Sequence, residues 1–246
     1  ASDDSWLVML YQDADDKILE QDIYIDLNEA ERVGSSNNVK IVAQIDRYQA
    51  GYQGDGNWTS ARRYYVTQDN DLNRVSSQMV QELGEVNMAS GQTLVDFVAW
   101  AMGAYPADHY VLILSDHGMG WPGGWSDPTA SGRGGATLPL ASVLGDVLYL
   151  NELDQALGAI RSQTGLDAFE LVGMDACLMG HVEVLTMLAS HARYAVVSQE
   201  TEPALGWAYA AFLNELTANP GVSGAELGRF IVESYIQEDQ RILDDG

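Results

Sequence analysis

Tyr110-Val111-Leu112-Ile113-Leu114-Ser115-Asp116-His117-Gly118 is an apolar run that stops abruptly in polar residues. A short run without polar alternation reads as a strand covered on both faces. Phe169 to Met174 has the same build and stops in Asp175-Ala176-Cys177. Trp6 to Tyr11 and Val39 to Ile45 are two more such strands, closing on Gln12-Asp13 and Asp46-Arg47. Tyr194 to Val197 is a fifth, closing on Ser198-Gln199-Glu200, and Arg62 to Thr67 reads as a short additional strand.

Helical spacing fills the intervals. Apolar residues recur at that spacing from Ile23 to Val33, Thr93 to Met102, Leu150 to Ile160 and Val182 to Leu188. Two more amphipathic segments follow, Tyr209–Leu216 and Ala225–Ile236. Wholly apolar strands alternating with helices predict an α/β fold, a mainly parallel sheet covered on both faces. The stretch from Gly118 to Leu138 is glycine-rich, has no periodicity and reads as a long exposed loop. No repeat or linker divides the chain. Residues 1–246 read as one domain, cut short at its C-terminus just after helical sequence.

Composition narrows the function. Thirty-six acidic residues against 12 basic ones give a net charge of -24. Nucleic acid is a poor partner for such a chain, because phosphate contacts need clustered Lys and Arg. Cationic substrates or metal ions suit the charge, and so does simple solubility in a salty habitat. No apolar run is long enough to span a membrane. No signal peptide begins at Ala1, as is also true of any processed chain. One cysteine excludes an internal disulfide and leaves two readings, a small buried hydrophobe or a nucleophile.

In open parallel sheets, ligands bind outside the carboxyl ends of the strands. Cys177 and His117, the latter one of four histidines, both fall at that edge. A thiol needs a base to become thiolate at neutral pH, and imidazole suits the task. The backbone N–H groups of Cys177 and Gly118 are available donors for a developing oxyanion, Gly118 because it lacks Cβ. His109, His181 and His191 sit beside or within predicted elements and read as structural or surface residues. Asp116 neighbours His117, but adjacent residues of an extended chain face opposite ways, which favours a dyad over a triad. Asp13 and Asp15 read as helix-end charges, solvated loop residues or metal ligands, on a spacing that is not an EF-hand's. No Gly-x-Ser-x-Gly elbow marks a serine hydrolase, and no Gly-x-Gly-x-x-Gly follows the first strand.

Taken in order, these blocks resemble the clostripain family of cysteine peptidases, relatives of caspases and gingipains. The resemblance rests on Trp6 to Asp15, Asp26-Leu27-Asn28-Glu29, Ser115-Asp116-His117-Gly118 with Trp121, Met174 to Met179, Ser198 to Pro203 and Gly206-Trp207. It implies a caspase-like α/β/α sandwich and a Cys–His dyad, with Cys177 as nucleophile and His117 as base. It also implies cleavage after Arg or Lys in protein or peptide substrates. Asp175 matches the family's acidic position beside the nucleophile, and Glu200 and Glu202 are candidates for a second acid in the specificity pocket. No cofactor is needed for such chemistry; a calcium requirement fits the resemblance, with the ligands unknown. The resemblance further implies a bacterial enzyme, secreted or held at the cell envelope, while a cytoplasmic one stays open. It points to self-processing between the His and Cys blocks, for which Arg133 in the glycine-rich stretch is the accessible basic residue. The alternative is a catalytically silent caspase-like module, regulatory or calcium-binding, against which the intact His117 and Cys177 speak.

Overall fold

The computed structural model describes residues 4–49, 51–71, 73–128 and 146–235. Five strands were expected to be buried throughout; four are, and they form the centre of the sheet: β1 (Trp6–Ala14), β2 (Val39–Arg47), β5 (His109–Ser115) and β8 (Phe169–Asp175), whereas the fifth, at the sheet edge, is mostly exposed. β3 (Ala61–Tyr65), β4 (Gln78–Gly84) and β9 (Ala192–Val196) complete seven strands in the order β4-β3-β2-β1-β5-β8-β9. β2, β1, β5, β8 and β9 run parallel; β3 and β4 are antiparallel additions at one edge.

Strand alternation sorts the core into two halves. Leu7, Met9 and Tyr11 of β1 join one cluster with Phe97 and Val98 of α2 (Gly91–Ala104) and Leu157 and Ile160 of α3 (Leu150–Thr164). The same cluster takes in Val184 of α4 (Val182–Leu188). Trp6, Val8 and Leu10 face the other way. They pack with Leu27 of α1 (Glu20–Val33), Phe212 of α5 (Tyr209–Ala218) and Leu227 of α6 (Gly224–Ser234). The result is the expected α/β/α sandwich. Helix ends follow local chemistry: Gly34 leaves α1 at φ +68°, and Ser223 and Glu226 cap α6 reciprocally. Among the described residues no helix is long and apolar enough to cross a membrane.

The structure corrects the reading of the glycine-rich stretch at its start. Gly123–Asp127 is a strand, β6, paired antiparallel with β7 (Asp146–Tyr149), and Trp125 is fully buried. Its glycines serve close approach rather than exposure. A Cβ on Gly124 would stand 2.4 Å from the His117 carbonyl oxygen, and one on Gly123 2.4 Å from that of Leu148. Trp125 N–H donates to the His117 carbonyl at 3.0 Å, so β6 braces the segment that carries His117.

Candidate active site

Register places the two chemical residues. β5 and β8 are parallel neighbours, and their last paired residues are Ser115 and Asp175. His117 and Cys177 each stand two positions beyond that pair, side by side past the sheet edge. The Asp116 N–H reaches the Asp175 carbonyl at 3.4 Å and carries the contact one residue further. Gly118 completes the approach: a Cβ there would lie 2.1 Å from the Cys177 carbonyl oxygen. After Cys177 the chain reverses through Leu178, a non-glycine at φ +62°, whose N–H donates to the Glu200 carbonyl. Left-handed backbone at a non-glycine residue costs on the order of 1 kcal/mol or more and is held only by its surroundings. Among the described residues, no hydrogen-bond acceptor takes the N–H of Gly118 or of Cys177.

His117 has a partner that sequence reasoning missed. Its Nε2 lies 3.3 Å from Asp16 Oδ1. The same oxygen accepts the N–H groups of Ile18 at 2.7 Å and Leu19 at 2.8 Å, in the turn that enters α1. Asp16 is therefore fixed by a helix entrance and then offered to the imidazole. Its hydrogen bond raises the His117 pKa against the opposing effect of burial, and the Asp116 charge adds to the rise. Burial works to raise the Asp16 pKa, but the bonds from His117 and the two N–H groups outweigh it and hold the carboxyl below its usual range. Asp116 itself turns away, as strand alternation requires, and its Oδ2 accepts the Ser126 N–H at 2.6 Å. Asp13 and Asp15 drew attention in the sequence, whereas Asp16 was not singled out. The signal was its place at the turn before a helix.

Cys177 is half-buried, and its Sγ accepts the Glu202 N–H at 3.3 Å. It borders a cleft whose walls include Leu19, Ile23, Asp26, His117, Asp175, Glu202 and Gly206. Besides Asp116, whose Oδ2 is taken by Ser126, three carboxylate residues line this cleft. Asp175 Oδ2 accepts the Tyr209 hydroxyl at 2.9 Å and the Trp207 N–H at 3.2 Å. Tyr209 thus donates to Asp175, so Ser115 Oγ donates to Tyr209 at 3.0 Å. Glu202 Oε1 accepts the Trp207 indole N–H at 3.3 Å. Burial, and then the charge of Asp175, push the Glu202 pKa up to about 8. Asp26, buried on α1, is the third carboxylate. A Cβ on Gly206 would stand 2.8 Å from Asp26 Oδ2 and 2.9 Å from Asp175 Oδ2, so its absence keeps the space between them open.

Glu200, named with Glu202 as a candidate acid, has an exposed side chain and does not line the cleft; its backbone is what the site uses. The reason is the strand exit after β9, where Ser198 Oγ bonds both the carbonyl and the N–H of Glu200 and turns the side chain outward. Arg133 lies outside the described residues. The remaining histidines are structural. His109 stacks on Trp6, His191 bonds Asp154 at 2.7 Å, and His181 precedes α4 as its N-cap.

A sequence profile of the clostripain family matches residues 10–243. The chain belongs to the clostripain family. Clostripain of Hathewaya histolytica is 28% identical over 197 residues, which are 72% of this chain and 34% of that protein. Two solved structures share the fold at a TM-score of 0.68. One is a secreted C11 cysteine protease of Bacteroides thetaiotaomicron in complex with an irreversible peptide inhibitor; it is 22% identical, with 95% of this chain and 58% of that one covered. The other is an inactive zymogen C11 protease of Parabacteroides distasonis; it is 19% identical, with 96% of this chain and 59% of that one covered. The chain thus spans about one third of its clostripain relative and under two thirds of these structures. The α/β/α sandwich described above is the caspase-like fold of that family.

Proposed function

We propose that this chain is a cysteine endopeptidase domain, one unit over its 246 residues, acting after Arg or Lys. The observation that carries the reading is the β5–β8 register, which brings His117 and Cys177 together over a cleft faced by Asp26, Asp175 and Glu202. In this reading Cys177 attacks the scissile carbonyl as thiolate. His117 takes the thiol proton and returns it to the leaving amine. The N–H groups of Gly118 and Cys177 receive the oxyanion, which agrees with their lack of other acceptors. The attack forms an acyl-enzyme, and water then releases the acid and frees Cys177. The chemistry needs no cofactor.

Asp175 and Glu202 read the substrate, and Asp26 joins them. Buried carboxylates with a small gap between them suit a guanidinium or ammonium through charge-assisted hydrogen bonds. Glu200 drops out of this role. Family membership and the secreted relative support a secreted or envelope-associated bacterial enzyme.

Asp16 acts as a positioning residue. By favouring imidazolium it stabilises the thiolate–imidazolium pair and holds the ring at the cleft. Asp16→Asn is expected to lower kcat roughly ten- to hundredfold, the loss of about 1.5–3 kcal/mol carried by a hydrogen bond to a charged group. It should also move the alkaline limb of the kcat/KM profile to lower pH, because His117 loses the partner that raises its pKa. An unchanged pH profile would show that Asp16 merely caps the turn.

Self-processing after Arg133 completes the proposal. Expression of the wild type beside Cys177→Ala, with fragment termini read by mass spectrometry, tests it. The wild type is expected to yield two pieces joined before cleavage at Arg133-Gly134, and Cys177→Ala to remain intact. The pieces should stay together, since β5 comes from one and β8 from the other. An active wild-type chain that stays whole defeats the idea.

A further inference from the structure

The active site has a second rim, across from the specificity cleft. The cleft belongs to the layer of α1, α5 and α6: Ile23 of α1 lines it and packs into that half of the core. Two residues past Cys177 the chain reaches Met179, which is buried in the other half with Val184 and Leu188 of α4. A Cβ on Gly118 would stand 3.0 Å from Met179 Cγ and Sδ, so the segment leaving His117 runs over the segment leaving Cys177. The two segments stay together, since a Cβ on Gly120 would stand 2.8 Å from His181 Cε1. Trp121 and Val182 are the next residues on each.

This rim is apolar and open. Trp121 is 65% exposed, Val182 70% and Leu185 42%. Val182 and Leu185 stand three apart on α4 and share a face. Of the six tryptophans in the chain, Trp121 alone is exposed. Its backbone is also held. Trp121 and Pro122 form the tip of a turn in which the Met119 N–H donates to the Gly123 carbonyl at 2.9 Å and the Gly123 N–H to the Gly120 carbonyl at 3.0 Å. The Pro122 carbonyl accepts the Leu150 N–H at 3.1 Å. An exposed indole forgoes the stabilisation that burial would bring, and on a fixed turn it offers a large contact surface at little cost in conformational entropy.

We infer that Trp121, Val182 and Leu185 form the subsite for the first residues after the scissile bond, and that this subsite takes bulky apolar side chains. The inference rests on the peptidase reading above. In that reading the residue before the bond occupies the cleft and the leaving amine sits at His117. The rest of the substrate then departs across the His117–Cys177 pair toward Trp121, four residues beyond His117. The rim is thus the continuation of the cleft on the leaving side. The acyl-enzyme no longer carries the leaving piece, so the preference acts on acylation and is read in kcat/KM.

The test compares two sets of internally quenched peptides that differ only in the two positions after a single Arg, Leu or Phe in one set and Ser in the other. Wild-type kcat/KM is expected to be roughly five- to thirtyfold higher for the apolar set, the effect of partly burying one such side chain. Trp121→Ala, and separately Val182→Ser combined with Leu185→Ser, should bring that ratio close to unity. Val232→Ala, an exposed apolar position on α6 in the opposite layer, should keep it. Acrylamide quenching of the wild type beside Trp121→Ala should find Trp121 accessible in the free protein. A wild type indifferent to the two positions, or a Trp121→Ala variant with the wild-type ratio, overturns the subsite and leaves the peptidase reading intact. A wild type that cleaves neither set overturns both. A Trp121 already shielded from acrylamide means that another segment or a second copy covers the rim, and overturns the subsite alone.

Discussion

Cys177→Ala is expected to bring hydrolysis of peptide substrates to the uncatalysed level while the melting temperature stays close to that of the wild type. The substitution removes a single sulfur atom from a half-buried position, and changes of that kind stay within about 1 kcal/mol of stability. His117→Ala should lose on the order of 10²–10⁴ in kcat, the contribution of a positioned proton-transfer group. The double variant should be no worse than Cys177→Ala, because the two residues act as a unit. A fluorogenic peptide assay with circular dichroism on each variant checks all three. Normal turnover in either single variant would falsify the dyad.

The specificity variants carry the next largest effect. Asp175→Asn and Glu202→Gln are each expected to weaken cleavage after Arg by roughly 2–4 kcal/mol, about 30- to 1000-fold in kcat/KM, the cost of leaving a buried charge half-paired. Cleavage after a neutral residue should change much less. The two acids should differ in a second respect. Tyr209 and Trp207 donate to Asp175, whereas for Glu202 burial and then the charge of Asp175 favour a proton until about pH 8. A cationic side chain binds the deprotonated form of Glu202. For Arg substrates kcat/KM should therefore rise with pH up to about 8, through the range where Glu202 ionises. Glu202→Gln should remove that limb and leave the His117 limb in place. Parallel pH profiles on Arg and neutral substrates decide the matter; equal losses on both would mean that the acids support Cys177 rather than read the substrate.

The sequence was most legible where burial on both faces writes itself as an unbroken apolar run. Trp6–Tyr11, Val39–Ile45 and Tyr110–Leu114 could only be interior strands, and their polar ends marked the chemical edge. β4 was invisible for the opposite reason: Gln78 to Gly84 is almost wholly exposed, pairs on one edge only, and has no apolar face to repeat. β6 was invisible because Gly123-Gly124-Trp125-Ser126-Asp127 has the composition of a loop. It becomes a strand through β7 and through the His117 carbonyl, contacts that are distant or local but not periodic. Cys177 and His117 could be placed because each ends a legible strand. Asp16 and Asp26 could not: Asp16 reaches His117 from the approach to a helix, and Asp26 lines the cleft from that helix's buried face, where one charged residue looks like the next. Glu200 and Glu202, two residues apart, were indistinguishable until the turn after β9 showed which one points inward.

The position of β1 has a consequence for how the site comes into being. The strand nearest the amino terminus lies in the middle of the sheet, between β2, which follows it closely, and β5, which is far along the chain. β1 and β2 can pair early during synthesis, but β5 reaches β1 only after the long β3–β4 excursion, and β8 must then find β5. Parallel pairings at such separations close slowly, because loop entropy is lost before contacts repay it. Until β8 arrives, Val111, Leu112, Ile113 and Leu114 form an open apolar edge able to recruit a second chain. Because His117 is at that edge and Cys177 arrives with the strand that covers it, a nascent chain holds no assembled nucleophile and base, and the capacity to cut is acquired in the same step that removes the most adhesive surface.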